Sequence, residues 1–395
     1  MVMERPGLGG ELTVAFAGGG TGGHLFPAMA VADALAERVP GVRFLFFGTQ
    51  RAIDARIVER ADCHLIRQRL DPLSGRPWRW PALVSEYLRS ARDCFDELSR
   101  RRSAVVIGSG GYSSVPPLWA ARRAGIPLVL LNPDAVPGRA NRLFARHAEL
   151  VFAQWEATAE YLSSWARVEV VGCPIRPDFA RADRVAGLRR FELRPTCKTL
   201  LVTGASQGAR TLNEAVLWIL KWLAGREDWQ VLHLTGELDL ERVQRAYASS
   251  GVSSCVLAFT PHMAEALAAA DLVVSRAGAS TLAEITALGK PSILLPYPFH
   301  RDRHQHANAR CLVRAGAARL VADSADAARN GPALREVLEE LMTDDARRSA
   351  MAAAAQRMGR GQAAGHIAER LLQVAGVAGV AGAGESLKGT CAAAR

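Results

Sequence analysis

The sequence predicts an α/β protein made of two tandem Rossmann-like, doubly wound domains with a ligand cleft between them. Three observations lead to that architecture. At 395 residues the chain is too long for one ordinary hydrophobic core. Short, fully apolar runs alternate with helical patterns, as strands buried on both faces of a parallel sheet require. The rhythm breaks once, in a charged, proline-flanked stretch at 176–195, and then starts again.

In chain order, LTVAFA (12–17) reads as the first buried strand, FPAMAVADALAER (26–38) as a helix and VRFLFFG (42–48) as the second strand. SAVVIGSGG (103–111), PPLWAARRAG (116–125) and IPLVLLN (126–132) read as strand, helix and strand. LVFAQ (150–154) and VEVVG (168–172) complete a first domain over 1–175, and 176–197 reads as a linker region. The second domain, 198–373, opens with the strand TLLVTG (199–204), the helix ARTLNEAVLWILKWLAG (209–225) and the strand QVLHLTG (230–236). SCVLAFT (254–260), DLVVSRAG (271–278) and PSILLPYP (291–298) follow as strands. The alanine- and glycine-rich stretch 374–395 reads as a low-complexity, disordered tail.

Composition excludes several classes. Hydrophobic residues make up 49% of the chain and mean hydropathy is +0.04, the balance of a soluble globular protein. No run approaches the roughly 18–20 uninterrupted apolar residues of a membrane span. The N-terminus lacks the long apolar stretch and cleavage site of an export signal. Seven cysteines without C-x-x-C or C-x-H spacing fit neither a disulfide framework nor a zinc site, and suit the reducing cytoplasm. A net charge of +10 and a pI of 9.7 suit polyanionic partners: nucleic acid, an anionic membrane face or phosphorylated substrates.

The stretch 12-LTVAFAGGGTGGHLFPAMAVADAL-35 raises the question of ligand. Gly18, Gly20 and Gly23 satisfy G-x-G-x-x-G. A nicotinamide site also needs an acid about 20 residues on, at the end of the second strand, to hold the ribose. Thr49 and Gln50 stand there, Asp33 and Glu37 fall on the preceding helix, and the next acid is Asp54. The dinucleotide fingerprint fails where it is most diagnostic. What remains is a strand, a glycine loop and a helix N-terminus, which bind phosphate through backbone N–H groups and the helix dipole; a purely structural tight turn is the other reading. The device recurs at 202-VTGASQGARTLNEAV-216, with Ser206, Gln207 and Gly208 at the turn. It recurs again at 275-SRAGASTLAEITALGKP-291, where Ala277 to Thr281 open a helix that carries Glu284. A carboxylate one turn into that helix can accept two hydrogen bonds from a ribose diol, or simply complement the dipole.

Taken together, these residues resemble the MurG-type UDP-N-acetylglucosamine transferases of bacterial peptidoglycan synthesis, within family 28 of the GT-B glycosyltransferases. The likeness lies in seven ordered blocks: GGGTGGHLFPAMAVADAL, GTQRAIDARIV, VVIGSGGYSSVPP, VGCPIRPDF, GASQGARTLN, SRAGASTLAEITALGKPSILLPYP and DRHQHANA. They span nearly the whole chain and end before the tail. The resemblance implies a GT-B fold and an inverting transfer of N-acetylglucosamine from UDP-GlcNAc to the muramoyl-pentapeptide diphosphate-undecaprenol, lipid I, giving lipid II. It further implies no cofactor, a peripheral place on the cytoplasmic face of the inner membrane, and cell-wall synthesis proteins as partners.

The same resemblance assigns residues. Uracil would lie near 259–263 with Thr260 as a contact, and the ribose would meet Glu284. The diphosphate would meet Ser206 and the turn of Ala279, Ser280 and Thr281, continued by Leu282 and Ala283. Gln305 and Asn308 match positions that hold the sugar hydroxyls, Arg176 matches an arginine for the donor phosphates, and Thr21, Gly22 and Gly23 are further substrate-binding positions. His24 leads as catalytic base because imidazole titrates near working pH. A helix N-terminus disfavours the imidazolium, so orienting the acceptor is its other role. No Asp-x-Asp lies in a loop between βα units, so no metal is expected. One departure stands out: family members commonly carry His-Glu-Gln-Asn where this chain has 131-LNPDAVPGRAN-141. Asp134, in place of the asparagine, can only accept hydrogen bonds unless protonated. That makes it a second candidate base, and leaves room for an altered donor or acceptor.

Charge adds a surface. Between Arg100 and Arg146 there are eight arginines and one acid, Asp134. Nearby, 70-LDPLSGRPWRWPALVSEYL-88 interleaves Trp78, Trp80, Leu83 and Tyr87 with Arg76 and Arg79. No RNA- or DNA-binding signature accompanies them, so nucleic acid is not expected. An anionic membrane surface fits an acceptor that lives in a bilayer, and an ordinary solvated face is the alternative. Three other functions stay open at this point: a GT-B transferase with a different lipid or natural-product acceptor, an NAD-dependent oxidoreductase, and a UDP-sugar-binding protein disabled at Asp134.

Overall fold

The computed structural model of the protein describes residues 12–71, 80–204, 208–299 and 302–377. The first half contains β1 (Thr13–Ala17), α1 (Gly22–Arg38), β2 (Arg43–Gly48), α2 (Ala52–Val58), β3 (Cys63–Arg67) and α3 (Trp80–Arg100). It continues with β4 (Val105–Gly108), α4 (Val115–Ala124), β5 (Leu128–Asn132), α5 (Arg139–Phe144), β6 (Leu150–Ala153) and β7 (Val168–Val170). These strands make a seven-stranded parallel sheet in the order β3-β2-β1-β4-β5-β6-β7.

The second half contains α6 (Arg184–Arg190), β8 (Lys198–Thr203), α7 (Arg210–Trp218), α8 (Leu220–Leu223), β9 (Trp229–Leu234), α9 (Leu240–Ala248) and β10 (Ser254–Leu257). Then come α10 (Met263–Ala269), β11 (Leu272–Ser275), α11 (Ala279–Ala287), β12 (Ser292–Leu294), α12 (His304–Arg314) and β13 (Ala318–Leu320). Three helices close the described chain: α13 (Ala327–Thr343), α14 (Asp345–Met358) and α15 (Ala363–Val374). The second sheet runs β10-β9-β8-β11-β12-β13, all parallel. Both sheets thus reverse strand order beside their own first strand, the switch point at which doubly wound folds bind ligands.

The apolar strands are explained by period two on a sheet covered twice. In β1, Val14 and Phe16 enter the layer under α1, whereas Ala15 and Ala17 enter the layer under α4. In β8, Leu200 and Val202 face one layer and Leu201 the other.

Three expectations are corrected. Helix α1 starts at Gly22 rather than at residue 26, so the end of the glycine loop is already the first helical turn. The stretch read as a linker is folded: Phe179, Leu188, Phe191 and Leu193 are buried in the core of the second half, an apolar spacing hidden among arginines. Helix α15, assigned by sequence to the second domain, returns to the first. There Ile367, Ala368, Leu371 and Leu372 join the core around β1 and α1, Arg38 pairs with Glu369, and Glu169 of β7 pairs with His366 and Arg370. Residues 378–395, read as a disordered tail, lie outside the described residues.

Candidate active site

The C-terminal ends of both sheets face one cleft of about 1840 Å³, lined by residues of both halves. On the first wall, β1 runs into the glycine loop. Gly18 has φ +145°, and a β-carbon there would sit 2.3 Å from Ser109 Oγ, so the loop can reach the β4 loop only without a side chain. Asp54, fully buried, answers the question of the ribose acid. Its carboxylate accepts from Gly20 N at 2.8 Å, Thr49 N at 2.6 Å and Thr49 Oγ1 at 3.0 Å. It spends itself holding the loop, and a β-carbon on Gly19 would come within 2.2 Å of it. Thr21, Gly22 and Gly23 line the cleft, and the first-turn amides of α1 leave the helix end unpaired by helical bonds.

His24 follows in that turn and also lines the cleft. Its ring lies over Gly110 and Gly111, both at positive φ, and a β-carbon on Gly111 would crowd the imidazole at 3.3 Å. Nδ1 lies 3.4 Å from the Gly19 carbonyl and 3.2 Å from Thr21 Oγ1. A carbonyl can only accept, so this contact puts the proton on Nδ1 and leaves the Nε2 lone pair for a substrate. Burial lowers the His24 pKa, opposed mainly by Asp134 and by the Gly19 carbonyl. A neutral imidazole with a free nitrogen is what a base at neutral pH requires.

On the second wall, Ala279, Ser280 and Thr281 form the first turn of α11 and line the cleft. Leu282 and Ala283 do not. The Leu282 amide donates to the Gly278 carbonyl at 3.0 Å, and both side chains are buried, so the cleft-facing turn ends at Thr281. Arg276, buried in the preceding loop, braces this turn by donating to Asp323 at 2.7 Å, Leu295 O at 2.8 Å and Thr211 Oγ1 at 2.6 Å. Glu284 faces the cleft one turn on, its pKa pushed up to about 7 by burial, with Arg176 opposing and Asp178 adding to the rise. Arg176 also lines the cleft, donating to the Pro261 carbonyl at 3.2 Å and lying 3.5 Å from Asp178. Thr260 lines it too, although its Oγ1 already accepts from His262 N at 3.1 Å. Gln305 uses its carbonyl on Tyr297 N at 2.9 Å and Ala277 N at 3.4 Å, so what it can offer a ligand is its two amide hydrogens.

Asn308 departs from expectation. It is fully buried, does not line the cleft, and spends its amide on Asp134, Ala135 and Ala277 rather than on a sugar. Ser206 lies outside the described residues. Sequence reasoning also missed His304 and Asp302, which line the cleft as a pair, His304 Nδ1 donating to Asp302 Oδ1 at 2.7 Å. Their signal lies in DRHQHANA, in the first histidine and the acid that precedes it, beside the amides.

The first half matches the glycosyltransferase family 28 N-terminal domain over residues 14–153, and the second matches the glycosyltransferase family 28 C-terminal domain over residues 199–370. The chain is 40% identical over 357 residues to the UDP-N-acetylglucosamine–N-acetylmuramyl-(pentapeptide) pyrophosphoryl-undecaprenol N-acetylglucosamine transferase of Moorella thermoacetica, covering 88% of this chain and 95% of that protein. It is also 40% identical over 376 residues to the protein of that name from Sorangium cellulosum, covering 92% and 89%. Among solved structures it is similar to Acinetobacter baumannii MurG, with a TM-score of 0.74, 26% identity, and coverage of 92% of this chain and 99% of that one. A UDP-N-acetylglucosamine 2-epimerase shares the fold alone, at a TM-score of 0.63 and 16% identity, with coverage of 93% of this chain and 97% of that one.

Proposed function

The chain belongs to glycosyltransferase family 28, and from that premise we propose how its cleft works. The protein transfers N-acetylglucosamine from UDP-GlcNAc to the muramoyl-pentapeptide of lipid I, yielding lipid II. One observation supports the division of labour best: a single cleft has a neutral histidine on one wall and a helix N-terminus followed by a carboxylate on the other.

In this reading Glu284 accepts both hydroxyls of the uridine ribose, and the amides of Ala279, Ser280 and Thr281 with Arg176 meet the donor diphosphate. Gln305 donates to the sugar. The acceptor diphosphate sits against the α1 end at Gly22 and Gly23. His24 Nε2 takes the proton as the acceptor hydroxyl attacks the anomeric carbon from the side opposite UDP. The carbon–oxygen bond to UDP breaks, configuration inverts, and the charge left on UDP falls on helix-end amides and Arg176, groups already oriented before the reaction.

The membrane contact belongs to the same proposal. Trp80, Val84 and Leu88 form an exposed stripe on α3, each 57–58% exposed, and Leu143 of α5 adds to it. Arg139 and Arg142 flank it at the cleft mouth. Leu83 is buried beside the stripe, and Arg100 to Arg102 lie at the far end of the helix, about 30 Å away at 1.5 Å per residue. The docking face is therefore narrower than the charge count suggested, and Trp78, Arg76 and Arg79 lie outside the described residues. No helix of the described residues is long and apolar enough to cross a membrane.

The test is direct. Pure protein incubated with UDP-GlcNAc and a soluble lipid I analogue should release UDP and add one N-acetylhexosamine to the acceptor. Saturating chelator should leave the rate intact, since amides and Arg176 carry the leaving charge. Loss of activity restored by magnesium would show a metal role, and release of UDP without glycosylated product would end the transferase reading.

A further inference from the structure

Between β5 and α5 the first half sends one acidic side chain across the cleft. On α12 of the second half, Asn308 Nδ2 donates to Asp134 Oδ1 at 2.8 Å, while Asn308 Oδ1 accepts from Ala135 N at 2.7 Å. Its other amide hydrogen goes to the Ala277 carbonyl at 3.2 Å, in the loop that leads into α11. The crossing loop is braced from behind: Asn132 Nδ2 and Thr158 Oγ1 both donate to the Asp134 carbonyl, at 2.7 and 3.3 Å. Ala135, though part of the first half, is buried in the core of the second.

We propose that Asp134 is a positioning residue, which clasps Asn308 across the cleft and so sets the closed geometry in which the donor wall faces His24. This rests on the transfer reading above. Two antiparallel amide contacts near optimal length are directional, and neither survives a rotation of one half against the other. Opening the cleft would strand a fully buried amide and the Ala135 N–H, which opposes opening. Gln305 lies one helical turn before Asn308, on the same side of α12, so holding Asn308 also holds the amide aimed at the sugar.

Only an acceptor is needed for the clasp; the charge does something else. His24 is faced by Asp134 and Asp54, which raise its basicity together with the Gly19 carbonyl, and by His304 from α12, which lowers it along with burial. Asp134 is the largest of the raising influences. One of its two carboxylate oxygens, Oδ1, is engaged by Asn308, and in this proposal the charge serves to tune His24.

Full-length wild type, Asp134→Ala, Asp134→Asn and Asn308→Ala would be compared by small-angle X-ray scattering without ligand, and by transfer kinetics with UDP-GlcNAc and a soluble lipid I analogue. Both alanine variants should enlarge the radius of gyration, and Asp134→Ala should lower kcat about 100-fold, as a misplacement of ~1 Å does. Asp134→Asn keeps the acceptor, so it should scatter like wild type and lose roughly a tenth as much rate. With saturating donor, the acidic limb of its kcat profile should move to lower pH, because His24 loses a carboxylate that raises its pKa. Wild-type scattering from both alanine variants would overturn the clasp. An Asp134→Asn variant as inactive as Asp134→Ala would make the carboxylate itself the base. If wild type shows no transfer, the transferase reading falls, and the scattering still decides the clasp.

Discussion

Glu284 shows how one side chain's surroundings decide what a sequence position can do. The motif places a carboxylate one turn into α11; burial then raises its pKa from 4.5 to about 7. A raised carboxyl holds its proton in the folded chain where the unfolded chain has lost it. Its contribution to stability is therefore greatest below about pH 4.5 and declines as pH rises through about 7. Ligand binding has the opposite sign, because only the ionised group accepts from both ribose hydroxyls. UDP-GlcNAc affinity should rise with pH up to about 7 and then level off, read by calorimetry, with a donor whose own phosphates do not titrate there. Glu284→Gln should abolish that dependence, and Glu284→Ala should weaken binding by ~1.5–3 kcal/mol, the range for hydrogen bonds to a charged group. An unchanged affinity in the alanine variant would remove Glu284 from the donor site.

Among the elements, α3 changes character along its length. Over its first turns Trp80, Val84 and Leu88, spaced by four, stand exposed, whereas further along Ala91, Cys94 and Leu98 are buried in the core. The stripe is exposed and lines the cleft, which in the proposed function is the way in for an acceptor with a lipid tail. Replacing Trp80 and Leu88 together with serine should reduce co-flotation with phosphatidylglycerol vesicles and slow turnover of membrane-borne lipid I. UDP-GlcNAc affinity should stay the same, since the donor wall is in the other half. Each nearby arginine contributes ~1 kcal/mol at an anionic surface, screened over ~8–10 Å, so salt should weaken binding. Equal flotation of wild type and the double variant, or equal binding to neutral vesicles, would return α3 to plain solvated surface.

At the scale of the whole molecule, the chain crosses between halves twice, once after β7 and once before α15. The second crossing makes the last helix part of the first core, so the two halves share structure despite having separate sheets. Leu371, 1% exposed and packed in that core, tests the point. Leu371→Ala should cost ~2–5 kcal/mol in denaturant unfolding, the usual loss for a large-to-small change in a core. A change within ~0.5 kcal/mol, typical of surface positions, would mean that α15 is only loosely docked.

Much of this was legible in the residues alone. Apolar runs such as LTVAFA and TLLVTG can be stable only as strands covered on both faces, so they determined two parallel sheets. Small-residue turns before helices marked the helix ends to which the proposed function assigns phosphates, because backbone amides need no particular side chain to be exposed. His24 and Glu284 were legible because each sits within a turn of such a loop. What the tertiary structure alone decided depends on residues distant in sequence. Asp54 was merely the next acid beyond the failed fingerprint until the fold brought it back onto Gly20. Phe179, Leu188 and Phe191 looked like a linker until a core received them. Asn308 looked like a sugar contact until Asp134, 174 positions away, was found on its amide. Local periodicity and turn chemistry act within a few residues and can be read along the chain, whereas partnership across a cleft is set by how two finished sheets meet.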